Sequence, residues 1–256
     1  MSSGLTYLIT GANRGLGLGF VSLLIQRPAT TVVAGVRDPS SASSKALADL
    51  PKGEGSRVII VKIDASVESD PASAVAALRE EHGITALDVV IANAGISHSP
   101  ARVADVDVKA ALEHFAVNSL APIVLFRAVE PLLKASASGN PVFVGMASVM
   151  GSNGAAEQVA RLAVSTSPYG ASKAALSWFV KRLSLEEPWL TAFVFHPGLV
   201  QTEMAATIAA GVGANLKDLG AITVKQSVDG MVATIDKANK EISGTFKTHD
   251  GADLPW

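Results

Sequence analysis

The chain has 256 residues, a 48% hydrophobic share, a formal net charge of -2 and no cysteine, with an isoelectric point near 6.2 and a mean hydropathy of +0.34. That apolar content is enough for a sizeable core in one α/β domain or two small ones, and the near-neutral charge advertises neither nucleic acid nor anionic lipid, so a small-molecule partner is expected. The missing thiols exclude disulfides, thiolate metal sites, catalytic cysteines and thiol redox sensing together.

The opening "MSSGLTYLITG" has no basic stretch and too short an apolar run for a signal sequence, and no later run reaches about 18 apolar residues. The expectation is a soluble, cytoplasmic chain with no membrane partner. β-branched runs predict strands over residues 5–10, 30–36, 57–63, 87–92, 141–147, 190–195 and 245–247. Between them, helical patterns cover 15–26, 45–50, 68–82, 105–134, 169–186 and 224–240. "DPSSASSKALADL" after Arg37 reads as a loop entering a helix, and no internal repeat or low-complexity tract appears. Strand and helix alternating without a polar linker predict one α/β domain over 1–256, a Rossmann-type doubly wound parallel sheet.

The first strand runs into "TGANRGLGLG". Glycines between a strand and a helix leave unpaired backbone N–H groups at the positive end of the helix dipole, which favours a phosphate. A P-loop fails on the position five after Gly11, which is Leu16, and a GxGxxG loop read from Gly15 and Gly17 fails at Phe20. The spacing that fits is Gly11-x-x-x-Gly15-x-Gly17, a longer turn that brings the backbone against a pyrophosphate, with Asn13, Arg14 and Leu16 inside it. The alternative is a strand-to-helix turn with no ligand.

Cofactor choice turns on two arginines. An NAD site ends its second strand with a carboxylate for the ribose 2'-hydroxyl. Here Val36 stands at that place, Arg37 follows and Arg14 lies in the glycine loop, so two guanidiniums can flank the 2'-phosphate of NADP(H). Otherwise Arg37 pairs with Asp38 and both arginines are ordinary solvated charges. Tyr169 and Lys173 sit one turn apart on a helix face, where a neighbouring positive charge would favour the phenolate and ready the phenol as a proton donor.

Six segments in register, "TGANRGLG", "IANAG", "VNSLAP", "ASVMG", "YGASK" and "HPGLVQT", together resemble the short-chain dehydrogenase/reductase superfamily over essentially the whole chain. "EGSRVIIVKID", "REEHGITALDVVIANAG", "PWLTAFVFHPGLVQTEM" and "THDGADLPW" are similar to its fungal norsolorinic acid ketoreductase-like subgroup. Two departures are Ala92, where many relatives carry Asn, and a longer segment between Ser148 and Tyr169.

The resemblance implies catalytic roles for Asn118, Ser148, Tyr169 and Lys173. Tyr169 would protonate the substrate oxygen, Ser148 would hydrogen-bond the carbonyl, Lys173 would also hold the nicotinamide ribose, and Asn118 would support a water relay. It further implies that Asp64, beside Ala65, bonds adenine, that Asn93, Ala94 and Gly95 pass the adenosine ribose, and that Pro197, Gly198, Val200 and Thr202 line the nicotinamide. Bland readings stand beside these: Ser148 as a turn hydroxyl, Asp64 as a solvated turn acid, and Thr202 as an N-cap for "EMAATIAAG".

Competing chemistries lack their residues. The five histidines form no i, i+4 pair, so no metal is expected, and Ser172 stands between Gly170 and Ala174, which is no Gly-x-Ser-x-Gly elbow. The sequence therefore predicts an NADPH-dependent ketoreductase acting on an apolar, aromatic polyketide-like carbonyl compound. Ile96, Met150, Leu199, Met204 and Ile208 are its pocket candidates. Alternatives are reduction coupled to cyclisation, or a non-catalytic NADP(H)-sensing protein. The apolar stretches "SLAPIVLFRAV" and "ALSWFV" predict a homo-oligomer, dimer or tetramer, built on the helices over 105–134 and 169–186, unless "DGADLPW" covers them within one chain.

Overall fold

Strands β1 (Thr6–Thr10), β2 (Thr31–Val36), β3 (Arg57–Lys62), β4 (Val89–Ala92), β5 (Val142–Met146), β6 (Thr191–His196) and β7 (Phe246–Thr248) form one sheet in the order β3-β2-β1-β4-β5-β6-β7. Every pairing is parallel. The computed structural model describes residues 4–160, 165–211 and 215–256. Residues 1–3 of the opening and 161–164 of the long segment before Tyr169 lie outside the described residues.

The helices are α1 (Gly15–Leu24), α2 (Ala42–Lys45), α3 (Asp70–Glu80), α4 (Val108–Phe115), α5 (Ala121–Lys134), α6 (Ala156–Ala160), α7 (Ser167–Glu186), α8 (Glu203–Gly211) and α9 (Val224–Asp236). Strand side chains alternate between two cores, as the pleat requires. Leu8, Val33, Val90, Phe143 and Val194 pack on one face with Leu78 of α3, Leu125 and Val129 of α5 and Leu176 and Val180 of α7. Tyr7, Ile9, Val32, Ile91, Val144, Phe193 and Phe195 face the other way, onto Phe20 and Leu24 of α1 and Val228 and Met231 of α9. Strands buried on both faces read as unbroken apolar runs, which is why the sequence predicted them well. All seven expected strands are present, trimmed or displaced by one or two residues at their ends.

The helix expected over 105–134 departs from its prediction. Asp107 caps the backbone N–H of Lys109 and starts α4 late, and a π-helical turn, Ala116–Leu120, separates α4 from α5. The helix expected over 45–50 is the short α2 running into a 3-10 turn, Ala46–Asp49. That over 169–186 begins earlier, at Ser167, with Pro168 in its first turn. The last helix stops at Asp236, and its start is fixed by a capping box between Thr223 and Gln226. Taken together, the 27 residues Val108–Lys134 are long and apolar enough to cross a bilayer by length and composition alone. Leu125, Phe126, Val129, Leu132 and Leu133 nevertheless belong to the core against the sheet.

Strand order reverses between β1 and β4. At such a switch point the connections leave the strand ends in opposite directions and open a crevice there, which positions the site described next.

Candidate active site

The glycine loop leaves β1 at this crevice. A Cβ on Gly17 would lie 2.1 Å from the Gly11 carbonyl oxygen, so only glycine lets α1 start this close to the strand. Arg14 precedes α1 without a side-chain cap, which leaves the first N–H groups of the helix to an outside acceptor. Gly15 opens the helix against Thr202, whose Cγ2 lies 3.6 Å from where a Gly15 Cβ would be. Leu16 packs against the core on the α1 side of the sheet. The Asn13 side chain donates to Ser43 Oγ at 2.9 Å and Ser44 Oγ at 3.2 Å, so its amide is held against α2.

Across the crevice, Thr10 does work that the sequence reading missed. Its Oγ1 accepts the backbone N–H groups of Asn93 and Ala94, both at 3.0 Å, while Asn93 Nδ2 donates to the Thr10 carbonyl at 2.8 Å. The Asn93 amide thus fastens the β4 exit to β1. The signal was present in Thr10 as the first residue of "TGANRGLG", a hydroxyl at a buried strand end.

A cavity of about 350 Å³ opens beside these strand ends, lined by Thr10, Asp64, Ala65, Ala92, Ala94 and Val117 among others. Burial pushes the Asp64 carboxyl up, but hydrogen bonds from Ser66 to Oδ1 bring it below its ordinary value, so it is ionised at neutral pH. Asp38 is engaged by the Ser40 backbone and hydroxyl, and no ion pair among the described residues joins it to Arg37. The expected alternative of an Arg37–Asp38 pair is therefore absent there. Arg14 lies 3.4 Å from Glu203, both well exposed, a pair worth little in water.

The second cluster stands where β5 ends. Ser148 begins a 3-10 turn, Val149–Gly151, and its Oγ accepts the Met150 N–H at 3.3 Å. The turn packs directly on α7 because two glycines remove the obstructing carbons. A Cβ on Gly151 would meet the Ala174 nitrogen at 2.5 Å, and one on Gly170 the Met150 carbonyl oxygen at 2.6 Å. This contact brings Ser148 to Tyr169 and Lys173 from two distant parts of the chain.

Lys173 is 4% exposed, and its Nζ donates to the Met146 carbonyl at 2.6 Å. Burial lowers its pKa to about 8. Tyr169 is half-buried; burial raises its phenol above the ordinary value, and the Ser148 side chain pulls it partly back. The expected lowering of the phenol by Lys173 is not what the chain's own groups produce. The lysine ammonium sits 5.7 Å from the centre of the tyrosine ring, is spent on Met146, and is itself weakened by desolvation.

Asn118 lies fully buried inside the π-helical turn, a distortion that often marks functional positions. Its Oδ1 accepts the Ile96 N–H at 2.8 Å, and its Nδ2 donates to the Ile96 carbonyl at 2.9 Å and to Ser172 Oγ at 3.0 Å. A methyl group at Gly95 would stand 3.0 Å from Asn118 Oδ1 and 3.5 Å from Lys173 Nζ, so these two groups converge on one small residue. Ser172 is a second residue the sequence reading passed over. Its Oγ donates to the Tyr169 carbonyl at 2.7 Å while receiving Asn118.

The segment after β6 closes the crevice. The Pro197 carbonyl accepts from Ser227 Oγ at 2.6 Å, and Val200 bridges to Ile222. Gly198 lies against Ile222 and His249. Thr202 Oγ1 accepts the Ala205 N–H at 3.3 Å, so the threonine caps α8, as its bland reading held. Burial, with help from His249, lowers His196 to a pKa of about 4, which keeps it neutral. A smaller cavity of about 140 Å³ is bordered by Tyr169 and lined by Ser97, His98, Thr166, Pro168, Thr207 and Ile208 among others. Of the five apolar pocket candidates, Ile208 borders it.

The residues present fit a dinucleotide. A buried ammonium with one carbonyl partner keeps two donors, an ionised carboxylate borders the larger cavity, and an uncapped helix start faces the switch point. A parallel sheet with these features defines an oxidoreductase that uses a nicotinamide dinucleotide. The family model for short chain dehydrogenases matches residues 6–213. The chain belongs to that family, and so is an NAD(P)H-dependent oxidoreductase. It is 42% identical to a norsolorinic acid ketoreductase of Dothistroma septosporum, over 98% of this chain and 92% of the relative. It is 40% identical to the short chain dehydrogenase gsfK of Penicillium aethiopicum, over 98% and 99%. Among solved structures it resembles the NADPH-bound carbonyl reductase from chicken fatty liver, with a TM-score of 0.86, 28% identity and 99% of both chains covered.

The buried ammonium has a consequence for stability. Its folded pKa, about 8, lies below the ordinary lysine value of 10.5, so charge in the folded state is penalised at every pH below about 8. The penalty fades as pH rises from about 8 to about 10.5, because the folded state has then released a proton that the unfolded state still holds. Lys173→Met is expected to raise the unfolding free energy at pH 7, by on the order of 3 kcal/mol, and the gain should shrink toward pH 10. Urea unfolding at both pH values checks this; a gain that grew with pH would contradict the assigned burial.

Proposed function

We propose that the protein is an NADPH-dependent ketoreductase whose substrate is an apolar, aromatic polyketide-like carbonyl compound. The observation that carries this reading is the packing of the turn after β5 on the start of α7, which sets Ser148 near Tyr169 and the buried Lys173, with Tyr169 bordering the 140 Å³ cavity. The norsolorinic acid ketoreductase relatives support the polyketide part.

When bound, NADPH supplies the hydride. The chain's own groups do the rest. Lys173 holds the nicotinamide ribose hydroxyls with the two N–H groups left over from Met146. Ser148 hydrogen-bonds the substrate carbonyl oxygen and polarises it, and Tyr169 delivers a proton to that oxygen as negative charge develops there. A phenol raised by burial stays protonated at neutral pH, as a donor in the reductive direction must. Asn118 holds the π-helical turn to Ile96 and, through Ser172, to the first turn of α7, so it positions Tyr169 and Lys173 relative to the β4 exit. With the cofactor bound, Asp64 would bond adenine, the β4 exit from Asn93 to Gly95 would pass the adenosine ribose, and Pro197, Gly198 and Val200 would border the nicotinamide. Arg37, with Arg14 in support, takes the 2'-phosphate.

Replacing Tyr169 by Phe keeps the ring and removes the proton. Turnover with aromatic ketones and quinones should fall by at least about a hundredfold, with NADPH affinity nearly unchanged; retention of more than about a third of wild-type turnover, with chemistry rate-limiting, would sink the assignment. Arg37→Asp should shift the ratio of kcat/KM values from NADPH toward NADH by roughly tenfold or more. Arg14→Ala should act the same way but more weakly, since Glu203 already stands beside Arg14. An unchanged ratio in both variants would remove these arginines from the phosphate.

A homo-oligomer belongs to the same proposal. Val108 and Leu112 on α4, Leu120 in the π-helical turn, and Trp178 and Leu185 on α7 remain exposed, Trp178 by 61%. The C-terminal stretch does not cover them. It turns instead to the other end of the site, where the Pro255 carbonyl accepts from Ser152 Oγ and Trp256 packs near Phe246 and Lys181. Light scattering at micromolar concentration is expected to give a multiple of 26.3 kDa; a fully active single-chain mass would reject the oligomer.

A further inference from the structure

The loop that follows Gly95 carries a polar cluster that neither the glycine loop nor the Ser148–Tyr169–Lys173 group uses. His98 lies in it, 42% exposed at its side chain, on the wall of the same cavity that Tyr169 borders. Its Nε2 is 3.4 Å from Glu113 Oε2 of α4, and its Nδ1 is 3.1 Å from Ser99 Oγ. Its backbone N–H donates to Nε2 of His114, a fully buried imidazole, at 3.2 Å. His114 Nδ1 lies 2.7 Å from the Ala110 carbonyl, so that nitrogen bears the proton and Nε2 presents a lone pair to the loop. The two imidazole rings are 4.5 Å apart at their centroids. Ser99, the next residue, holds a left-handed φ of +50° without being glycine, a conformation retained where the surroundings impose it.

These contacts define what His98 can recognise. The Glu113 carboxylate, 3.4 Å from Nε2, can only accept, so in the neutral ring it favours the proton on Nε2 and leaves Nδ1 as an acceptor. In the chain itself a rotatable serine hydroxyl meets that acceptor. A substrate hydroxyl with a more acidic proton makes a stronger donor and can displace Ser99 or bond in series with it. The rest of the cavity wall combines further hydroxyls, on Ser97, Thr166 and Thr207, with the apolar Pro100, Pro168 and Ile208. Such a lining suits a flat apolar body with hydroxyls at its edge.

We infer that His98 is a specificity-determining residue, which accepts a hydrogen bond from a phenolic or enolic hydroxyl borne by the same molecule whose carbonyl is reduced at Tyr169. Glu113 is a positioning residue that sets the His98 tautomer, and His114 is a positioning residue that anchors the loop backbone. The inference rests on the ketoreductase reading above and narrows its substrate class to hydroxylated aryl ketones and quinones.

The test uses the full-length protein, NADPH, and a panel of hydroxyaryl ketones, each paired with its O-methyl ether. The wild-type protein should favour the free hydroxyl in kcat/KM by about tenfold or more, the size of one hydrogen bond that is made or left unmade. His98→Ala should bring that ratio close to one by slowing the hydroxylated member alone, while NADPH affinity stays as it was. His98→Asn, which keeps an acceptor near the place of Nδ1, should restore part of the preference. Glu113→Gln should lower it partly, through KM more than kcat. A wild-type ratio near one overturns the inference, as does a His98→Ala protein that slows both members equally with an unchanged melting temperature. Should His98→Ala prove unfolded, the ratio in Glu113→Gln decides, and an unchanged ratio there overturns the tautomer argument. If the wild-type protein oxidises NADPH with no member of the panel, the ketoreductase reading itself fails and the inference with it.

Discussion

Lys173 places a positive charge in an interior that offers it one carbonyl oxygen, and much of the surrounding structure is arranged about that shortfall. A lone ammonium removed from water costs several kcal/mol after relaxation, which is why its affinity for the proton drops. Nothing in the hydrophobic packing of α7 calls for a lysine there, since Leu176 and Val180 already fill the core beneath it. The stability given up at this position makes sense as preorganisation. A donor held rigid and partly unsatisfied before any ligand arrives need not be ordered when it does.

Holding that donor in place is a matter of backbone approach. Gly151 and Gly170 allow the turn after β5 and the start of α7 to touch main chain to main chain. Asn118 reaches from the π-helical turn to both polar groups of Ile96 and on to Ser172, which in turn binds the Tyr169 carbonyl. Ser119, the next residue, donates to the Ser172 carbonyl at 2.6 Å. These buried bonds are mutually supporting and fully satisfied, the condition under which a polar network rigidifies a core instead of weakening it. The groups of this site are thus presented by loops on a scaffold of packed strands and helices, in the stretches after β4, β5 and β6.

Legibility in the sequence followed the range of the interaction. The inner strands β1, β2, β4, β5 and β6 could be read because they are buried on both sides along most of their length, whereas the edge strands β3 and β7 carry Arg57, Lys62 and Lys247. The glycine loop was readable because the spacing of Gly11, Gly15 and Gly17 is a local geometric requirement. The long helix over 105–134 was misread as continuous because Val, Leu and Ala continue through it, whereas the π-helical turn at Ala116–Leu120 is enforced from outside, by the bonds of Asn118 to Ile96 and Ser172. The linking roles of Thr10 and Ser172 were not legible for the same reason, since each acts on a partner at least 50 residues away.

By itself the sequence determined the fold class, the alternation of strands and helices and the place of the glycine turn between β1 and α1, because periodicity and glycine spacing are properties of neighbouring residues. The electrostatic state of the site was decided by tertiary structure alone. From spacing, a lysine one turn from a tyrosine should make the phenol more acidic. In the folded chain desolvation acts on both groups, raising the Tyr169 pKa and lowering that of Lys173, while the Met146 carbonyl takes the ammonium's hydrogen bond. The cluster of His98, Glu113 and His114 likewise exists only once the β4 exit folds onto α4. Burial and long-range approach are sums over the whole fold, and no window of neighbouring residues contains them.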